Sequence, residues 1–210
     1  MLLLALFAVF VPLCQLSAQS PGPVPSTGPK AVDSPAPAEE KISRTRHTVT
    51  IGGRRIAYTA TTGNLLLRTE QGAPRASIFF VAYTRDDAGN PATRPVTFSF
   101  NGGPGSSSVW LHLGVLGPRR VVMNDAGAAT PPPYRVMDNE FSILDSTDLV
   151  FIDPVLTGYS RPVGEENAKQ FLGFKGDMET VGEFIRLYAT RYERWGSPKF
   201  LVGESYGTTR

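Results

Sequence analysis

The chain has 210 residues, of which 41% are hydrophobic and 19% charged, as in a globular domain with flexible extensions. Its formal net charge is +2 and its isoelectric point is near 8.8, with the charges interspersed. The densest basic pair near any motif, Arg119-Arg120, is too small for a nucleic-acid footprint, so we expect no nucleic-acid partner. No phosphate-binding loop, His-Glu-x-x-His helix or zinc-type spacing occurs, so we expect no metal and no cofactor.

The N-terminus, residues 1–18, is predicted to be a signal peptide. Residues 2–11 are an unbroken apolar run that is too short to span a bilayer, and Leu16-Ser17-Ala18 offers a small-residue cleavage site. The single cysteine, Cys14, lies in this segment in a context that does not favour lipid attachment. We therefore expect a secreted or periplasmic protein with no stable membrane insertion after cleavage. An uncleaved anchor or a misassigned start codon is the alternative, because the usual cationic start is absent.

Residues 19–40 contain six prolines and no aromatic residue, leucine or isoleucine. Such a segment buries too little apolar surface to offset the entropy of ordering, so we predict a Pro-rich linker. The folded domain is predicted to occupy residues 41–210.

Strands are predicted first in the folded part. Alternating residues at 47–51 and 54–61, with Gly52-Gly53 between them, indicate a β-hairpin. Three further runs predict strands at residues 76–84, 96–100 and 149–152. The last run is continuously apolar, which is typical of a parallel strand buried on both faces.

Two helices are predicted. Residues 109–115 suit a short helix that Gly117-Pro118 ends. Residues 177–195 form the clearest helix, with Asp177 suited to its N-terminus and Gly196 and Pro198 ending it. Its apolar face is predicted from helical spacing: Val181, Phe184, Ile185, Tyr188, Tyr192 and Trp195. The order of elements favours an α/β sheet with antiparallel strands at its start.

A Gly-x-Ser-x-Gly pentapeptide, Gly203-Glu204-Ser205-Tyr206-Gly207, follows the apolar run Phe200-Leu201-Val202. This placement predicts the nucleophile elbow of an α/β hydrolase, in which a strained turn lifts the serine above the sheet. The N–H of Tyr206 is then one predicted oxyanion donor. Gly103, in the Gly-rich stretch after the strand 96–100, is the predicted source of the second.

Other candidate groups favour structural roles. His112 is expected to be a partly buried helix residue, because in this fold the catalytic histidine follows the nucleophile in the chain. His47 precedes the nucleophile as well. Asp153 is expected to cap a turn, and Glu204 is either an elbow residue without a special role or a substrate contact.

Five motifs together resemble the serine carboxypeptidases of the peptidase S10 family, in the family's order: Asn101-Gly102-Gly103-Pro104-Gly105-Ser106-Ser107-Ser108, Leu116-Gly117-Pro118, Leu149-Val150-Phe151-Ile152-Asp153, Thr157-Gly158-Tyr159-Ser160 and the Ser205 pentapeptide. The resemblance is to the N-terminal portion of a bacterial-type member. It implies an α/β-hydrolase fold, incomplete and extending through the nucleophile elbow, and removal of C-terminal residues from peptide substrates through an acyl-enzyme. By it, Ser205 is the catalytic nucleophile, Gly103 and Tyr206 form the oxyanion hole, and Asn101 and Glu204 hold the substrate's terminal carboxylate.

Three positions depart from the family pattern. Ser99 stands where a Trp is frequent, Ser106 where many members have a Cys, and Val115 where a second Glu often accompanies the elbow Glu. The carboxylate-recognition set is thus incomplete. An esterase or acyltransferase therefore stays open as an alternative, as does a non-catalytic remnant or binding module.

The family's triad Asp and His lie downstream of the elbow. We therefore expect them beyond Arg210, and expect a protein limited to these residues to be inactive and poorly soluble.

Overall fold

The computed structural model describes residues 39–164 and 168–210. The predicted signal peptide and nearly all of the predicted linker lie outside the described residues. Glu40, at the end of that linker, is described and forms an ion pair with Arg191.

The described strands are, in chain order, β1 (Ile42–Ile51), β2 (Arg54–Arg68), β3 (Pro74–Arg85), β4 (Val96–Phe100), β5 (Arg119–Val121), β6 (Val136–Asp138), β7 (Asp148–Ile152), β8 (Arg161–Pro162) and β9 (Lys199–Gly203). The described helices are α1 (Val109–Leu111), which continues as a π-helix over His112–Leu116, then α2 (Phe174–Arg191) and α3 (Tyr206–Thr209), with 3-10 turns at Ile143–Asp145 and Ala168–Phe171. None of these helices is both long and apolar enough to cross a membrane.

The main sheet has the strand order β1-β2-β3-β7-β4-β9, with β8 paired to β3. Strands β1, β2, β3 and β7 are joined by antiparallel pairings, whereas β7–β4 and β4–β9 are parallel. The carboxyl ends of the three parallel strands therefore meet at one edge of the sheet, which is where ligands bind in open α/β sheets. The predicted antiparallel start and α/β class are confirmed.

The predicted strands all form, several of them longer than their sequence pattern indicated. The hairpin turns at Gly52-Gly53 as predicted, with φ of +54° and +75°. These angles lie in the left-handed region that glycine adopts at little cost. Strands β5 and β6 were not predicted, because three-residue strands carry too little alternation to be recognised.

Apolar side chains pack on both faces of the sheet. On one face Val150 and Ile152 of β7 pack with Phe184 and Tyr188 of α2. On the other face Leu149 and Phe151 pack with Leu111 of α1 and with the β1–β2 hairpin. Strand β7 is thus covered on both sides, as its continuous apolar run predicts.

The prediction for the long helix is wrong at its C-terminal end. Helix α2 ends at Arg191, and Glu193 turns the chain with φ of +54°. Trp195 follows this turn and is 60% exposed, whereas Arg194 is buried. Hydrophobic periodicity predicted that Trp195 is buried, because a local apolar pattern carries no information about the ion pair that buries Arg194 instead.

Arg194 is buried because it completes an ionic cluster where strand β7 begins. Asp148 accepts hydrogen bonds from Arg94 Nε at 2.8 Å and from Arg194 Nη1 at 2.7 Å. It also accepts the backbone N–H of Arg85 at 3.0 Å. Buried charges are tolerated when paired in this way, so the cluster fixes the amino ends of the parallel strands to the chain that leaves α2.

Among the described strands, β9 lies at one edge of the main sheet, next to β4. Its apolar residues Phe200 and Leu201 are exposed, at 55% and 62%.

Candidate active site

The turn after β9 has the predicted elbow geometry. Ser205 has φ of 54° and ψ of −125°, between the end of β9 and the start of α3. A non-glycine residue in this region costs about 1–3 kcal/mol, and such strain is concentrated at functional sites. The sharp, strained turn that the pentapeptide predicts is therefore present at Ser205.

Three glycines allow the elbow to form, because at each of them another backbone segment lies so close that a side chain would overlap it. A Cβ on Gly203 would lie 2.2 Å from the carbonyl oxygen of Gly207. A Cβ on Gly207 would lie 2.7 Å from the carbonyl oxygen of Phe100. A Cβ on Gly102 would lie 2.5 Å from the backbone nitrogen of Tyr206, so the Gly-rich loop also rests directly on the elbow.

Asn101 and Glu204 meet beside the nucleophile. Asn101 Nδ2 donates to Glu204 Oε2 at 3.1 Å, and Asn101 Oδ1 accepts the N–H of Leu111 at 3.0 Å. The second bond fixes which end of the amide faces Glu204. The parallel pairing of β4 with β9, which aligns Phe100 with Gly203, brings these residues together from 103 positions apart.

A cleft of about 400 Å³ opens over these residues. This is within the usual size range of small-molecule sites. It is lined by Asn101, Gly103, Ser106, Trp110, Leu111, Val115, Glu204 and Ser205. Four of the five predicted site residues thus line one cleft, and the fifth, Tyr206, directly follows Ser205.

Gly103 has φ of +107°, and a Cβ there would lie 2.5 Å from the nitrogen of Gly105. This close fold of the loop requires glycine. Within residues 39–164 and 168–210, the N–H groups of Gly103 and Tyr206 donate to no backbone carbonyl.

Neither histidine lines the cleft. His47 lies on β1, at the opposite edge of the sheet from β9. His112 Nε2 is 2.6 Å from the Tyr83 hydroxyl, and its ring stacks on Phe151 at 4.6 Å. Burial lowers the pKa of His112 to about 4. The expectation that His112 is a partly buried helix residue is confirmed.

Asp153 has a structural role, as expected: it binds the turn that follows β7 and connects it to Ser108. Its carboxylate accepts the N–H of Ser108 at 2.9 Å and that of Tyr159 at 3.3 Å. Burial raises its pKa, although these two N–H groups act in the opposite direction.

Sequence reasoning missed two features of the site. Trp110 lines the cleft while 66% exposed, and its position just after the Gly-rich loop is a signal that was available. Arg210 is paired with Asp177, and no sequence pattern indicates that pairing. Among the described residues no group of three His, Cys, Asp or Glu side chains is placed to hold a metal ion.

Comparison with known proteins gives consistent matches. The serine carboxypeptidase family model, Peptidase_S10, matches residues 59–209. The pheromone-processing carboxypeptidase KEX1 of Saccharomyces cerevisiae is 32% identical over 155 residues, covering 69% of this chain and 20% of that protein. Serine carboxypeptidase-like 33 of Arabidopsis thaliana is 30% identical over 120 residues, covering 56% of this chain and 23% of that protein.

The structure is also similar to a solved one. The crystal structure of KEX1(delta)p, a prohormone-processing carboxypeptidase from S. cerevisiae, matches with a TM-score of 0.57 and 28% identity. The match covers 70% of this chain and 31% of that one. The chain spans about a fifth of the length of the curated relatives it matches. The α/β-hydrolase architecture predicted from the sequence is thereby confirmed.

Replacing Gly203 by Ala is expected to destabilise the protein by about 1–3 kcal/mol, because the new methyl group overlaps the carbonyl of Gly207. Gly182→Ala is the matched control. It lies in α2 with open space around its Cβ position and should stabilise by about 0.5–1 kcal/mol. Urea unfolding measures both, and equal effects of the two substitutions would contradict the close crossing at the elbow.

The lowered pKa of His112 predicts that the folded protein loses stability in acid. An unfolded histidine takes up its proton near pH 6.5, whereas folded His112 resists until about pH 4. The unfolded state therefore binds more protons in this interval, and the free energy of unfolding falls by up to roughly 3 kcal/mol as pH drops through it. His112→Gln should flatten this dependence. Urea unfolding across this pH range tests the claim, which fails if the wild type and His112→Gln show the same slope.

Proposed function

Because the chain belongs to the serine carboxypeptidase family, we propose that it forms the nucleophile-bearing part of an exported serine carboxypeptidase that acts on peptides. The observation that carries this proposal is the single cleft that contains Ser205, Gly103 and the Asn101–Glu204 pair. Together they offer a nucleophile, a donor for developing charge, and a polar pair next to both.

In the proposed reaction Ser205 Oγ attacks the carbonyl of the last peptide bond while a general base removes its proton. The negative charge that forms on the carbonyl oxygen is stabilised by the N–H groups of Gly103 and Tyr206. A donor of this kind contributes about 2.7–4 kcal/mol to transition-state stabilisation. The proton passes to the leaving amine, and water then hydrolyses the acyl-enzyme and releases the shortened peptide.

The acid and the base are assigned to a part of the protein that follows Ser205, in keeping with the chain order Ser, acid, His of this fold. His112 does not suit the role of base, because its Nε2 is engaged with Tyr83 and its ring packs on Phe151.

The Asn101–Glu204 pair is the proposed site for the substrate's terminal carboxylate. Two carboxylates in contact repel, so Glu204 must carry a proton to donate to the substrate. Asn101 supplies a neutral donor and holds the Glu204 side chain in place. Val115, 54% exposed in the cleft, offers no second carboxyl to share the proton. We therefore propose that discrimination against blocked C-termini is weak, which also leaves room for ester substrates.

We also propose export through residues 1–18, followed by a tether over residues 19–40. The apolar run and the six prolines of the sequence support both assignments. N-terminal sequencing of secreted protein should start near Gln19, and intact Met1 in cytoplasmic protein would refute export.

In the active protein that contains these residues, Ser205→Ala is expected to abolish release of C-terminal amino acids, at least 10³-fold, with little change in stability. Ser43→Ala, the same chemical change on exposed β1, is the matched control and should behave as wild type. Peptide hydrolysis followed by mass spectrometry measures both. Ordinary turnover by Ser205→Ala would refute the assignment of the nucleophile.

Introducing the missing carboxyl should sharpen substrate choice. Val115→Glu is expected to raise the kcat/KM ratio of a peptide acid over its amide about tenfold or more, because two carboxyls in contact share one proton and bind a carboxylate better. Val109→Glu is the control, since Val109 is 42% exposed at the start of α1, which continues into the π-helix that carries Val115, and it does not line the cleft. A wild type that already prefers the acid strongly, with no gain from Val115→Glu, would contradict the proposed role of Val115.

A further inference from the structure

Arg210 is a charged side chain buried at the site. Its side chain is 1% exposed, and that of its partner Asp177 is 11% exposed. The guanidinium reaches Asp177 through Nε at 2.9 Å and through Nη2 at 2.6 Å. It also lies over the rings of Tyr206 and Phe100, at 5.2 Å and 5.8 Å. Burying a guanidinium costs free energy unless its donors are paired. The contacts with Asp177 and the two rings offset part of that cost.

The remaining donors of Arg210 bind the Gly-rich loop. Nη1 donates to the carbonyl of Asn101 at 2.5 Å, and Nη2 makes a longer contact of 3.5 Å with the carbonyl of Pro104. These two carbonyls flank Gly102 and Gly103. The carbonyl of Gly102 accepts the N–H of Ser106 at 3.0 Å, which folds the loop back on itself. Arg210 therefore contacts backbone carbonyls at both ends of the segment that carries the Gly103 N–H.

Asp177 connects the Arg210 guanidinium to helix α2. It lies in the first turn of α2, and α2 packs on the sheet through the buried residues Val181 and Phe184. The planar fork of arginine lets one side chain bind a carboxylate and a carbonyl in fixed directions, which a lysine ammonium does not do. A chain of contacts thus runs from α2 through Asp177 and Arg210 to the backbone of Asn101.

We propose that Arg210 is a positioning residue for the reaction, which sets the Gly103 N–H through the backbone of the loop. The proposal rests on the proposed function, because it assigns Gly103 as an oxyanion donor. Asn101 is held by its main chain through Arg210 and by its side chain through Glu204 and Leu111. Loss of the guanidinium removes the hydrogen bond to the Asn101 carbonyl, whereas the side-chain hydrogen bonds of Asn101 stay in place.

This role predicts a particular kinetic signature. Misplacing a catalytic group by about 1 Å costs up to about 10²-fold in rate. The loss should appear in kcat, because the oxyanion forms only after substrate has bound. An ion pair that only stabilised the fold would lower the amount of folded enzyme and leave kcat per folded molecule unchanged.

The test uses the active protein that contains these residues, with the variants Arg210→Lys, Arg210→Met and Asp177→Asn. We expect kcat for a peptide acid to fall about 10- to 100-fold in Arg210→Met and less in Arg210→Lys, with KM changed by no more than about twofold. Asp177→Asn keeps the side-chain shape, and its kcat should lie between those of the wild type and Arg210→Met. Lys175→Met is the matched control, because Lys175 forms an exposed ion pair with Glu179 on the same helix.

Each rate is divided by the fraction of folded enzyme, measured from thermal unfolding. Wild-type kcat in folded Arg210→Lys and Asp177→Asn would overturn the inference, as would a loss confined to KM or to the folded fraction. Where Arg210→Met does not fold, the other two variants decide the outcome. Failure of the proposed function is distinguishable, because the wild type itself would then show no turnover that depends on Ser205.

Discussion

The site depends on one constraint, which is the passage of backbone against backbone at the elbow. Strand β9 must end, reverse through Ser205 and enter α3 while the loop after β4 lies directly against the turn. Glycines at 102, 203 and 207 make this possible, since a Cβ at any of them would meet backbone atoms at 2.2–2.7 Å. The strained φ of Ser205 is a consequence of this crowding. The same crowding places Gly103 and Asn101 next to the nucleophile.

Two buried ionic clusters hold the surrounding frame. Arg194, just after α2, binds Asp148 at the start of β7. Asp177, in the first turn of α2, binds Arg210 at the carboxyl ends of the strands. Helix α2 is thereby attached to the sheet near both of its ends, and its apolar face packs between them. Removing one member of such a pair leaves an uncompensated buried charge, so both clusters constrain geometry as well as stability.

The sequence allowed the α/β class, the parallel strands and the elbow to be predicted, because each has a local signature in periodicity or glycine spacing. The meeting of Asn101 with Glu204 was expected only through the family resemblance. Residues 103 positions apart are brought together by the register of β4 with β9, which no local pattern specifies. The same limit explains Arg194 and Arg210, whose burial depends on acidic partners far away in the chain. Trp195 was placed inside for the converse reason, since a local apolar pattern cannot show that a paired arginine takes the buried position.

The most direct test of the account is to identify the atom that reacts. The active protein that contains these residues is treated with a fluorophosphonate, digested, and mapped by mass spectrometry. We predict one covalent adduct, on the Oγ of Ser205, that is absent from Ser205→Ala. An adduct on another residue, or equal labelling of Ser205→Ala, would contradict the assignment of the elbow serine as the nucleophile.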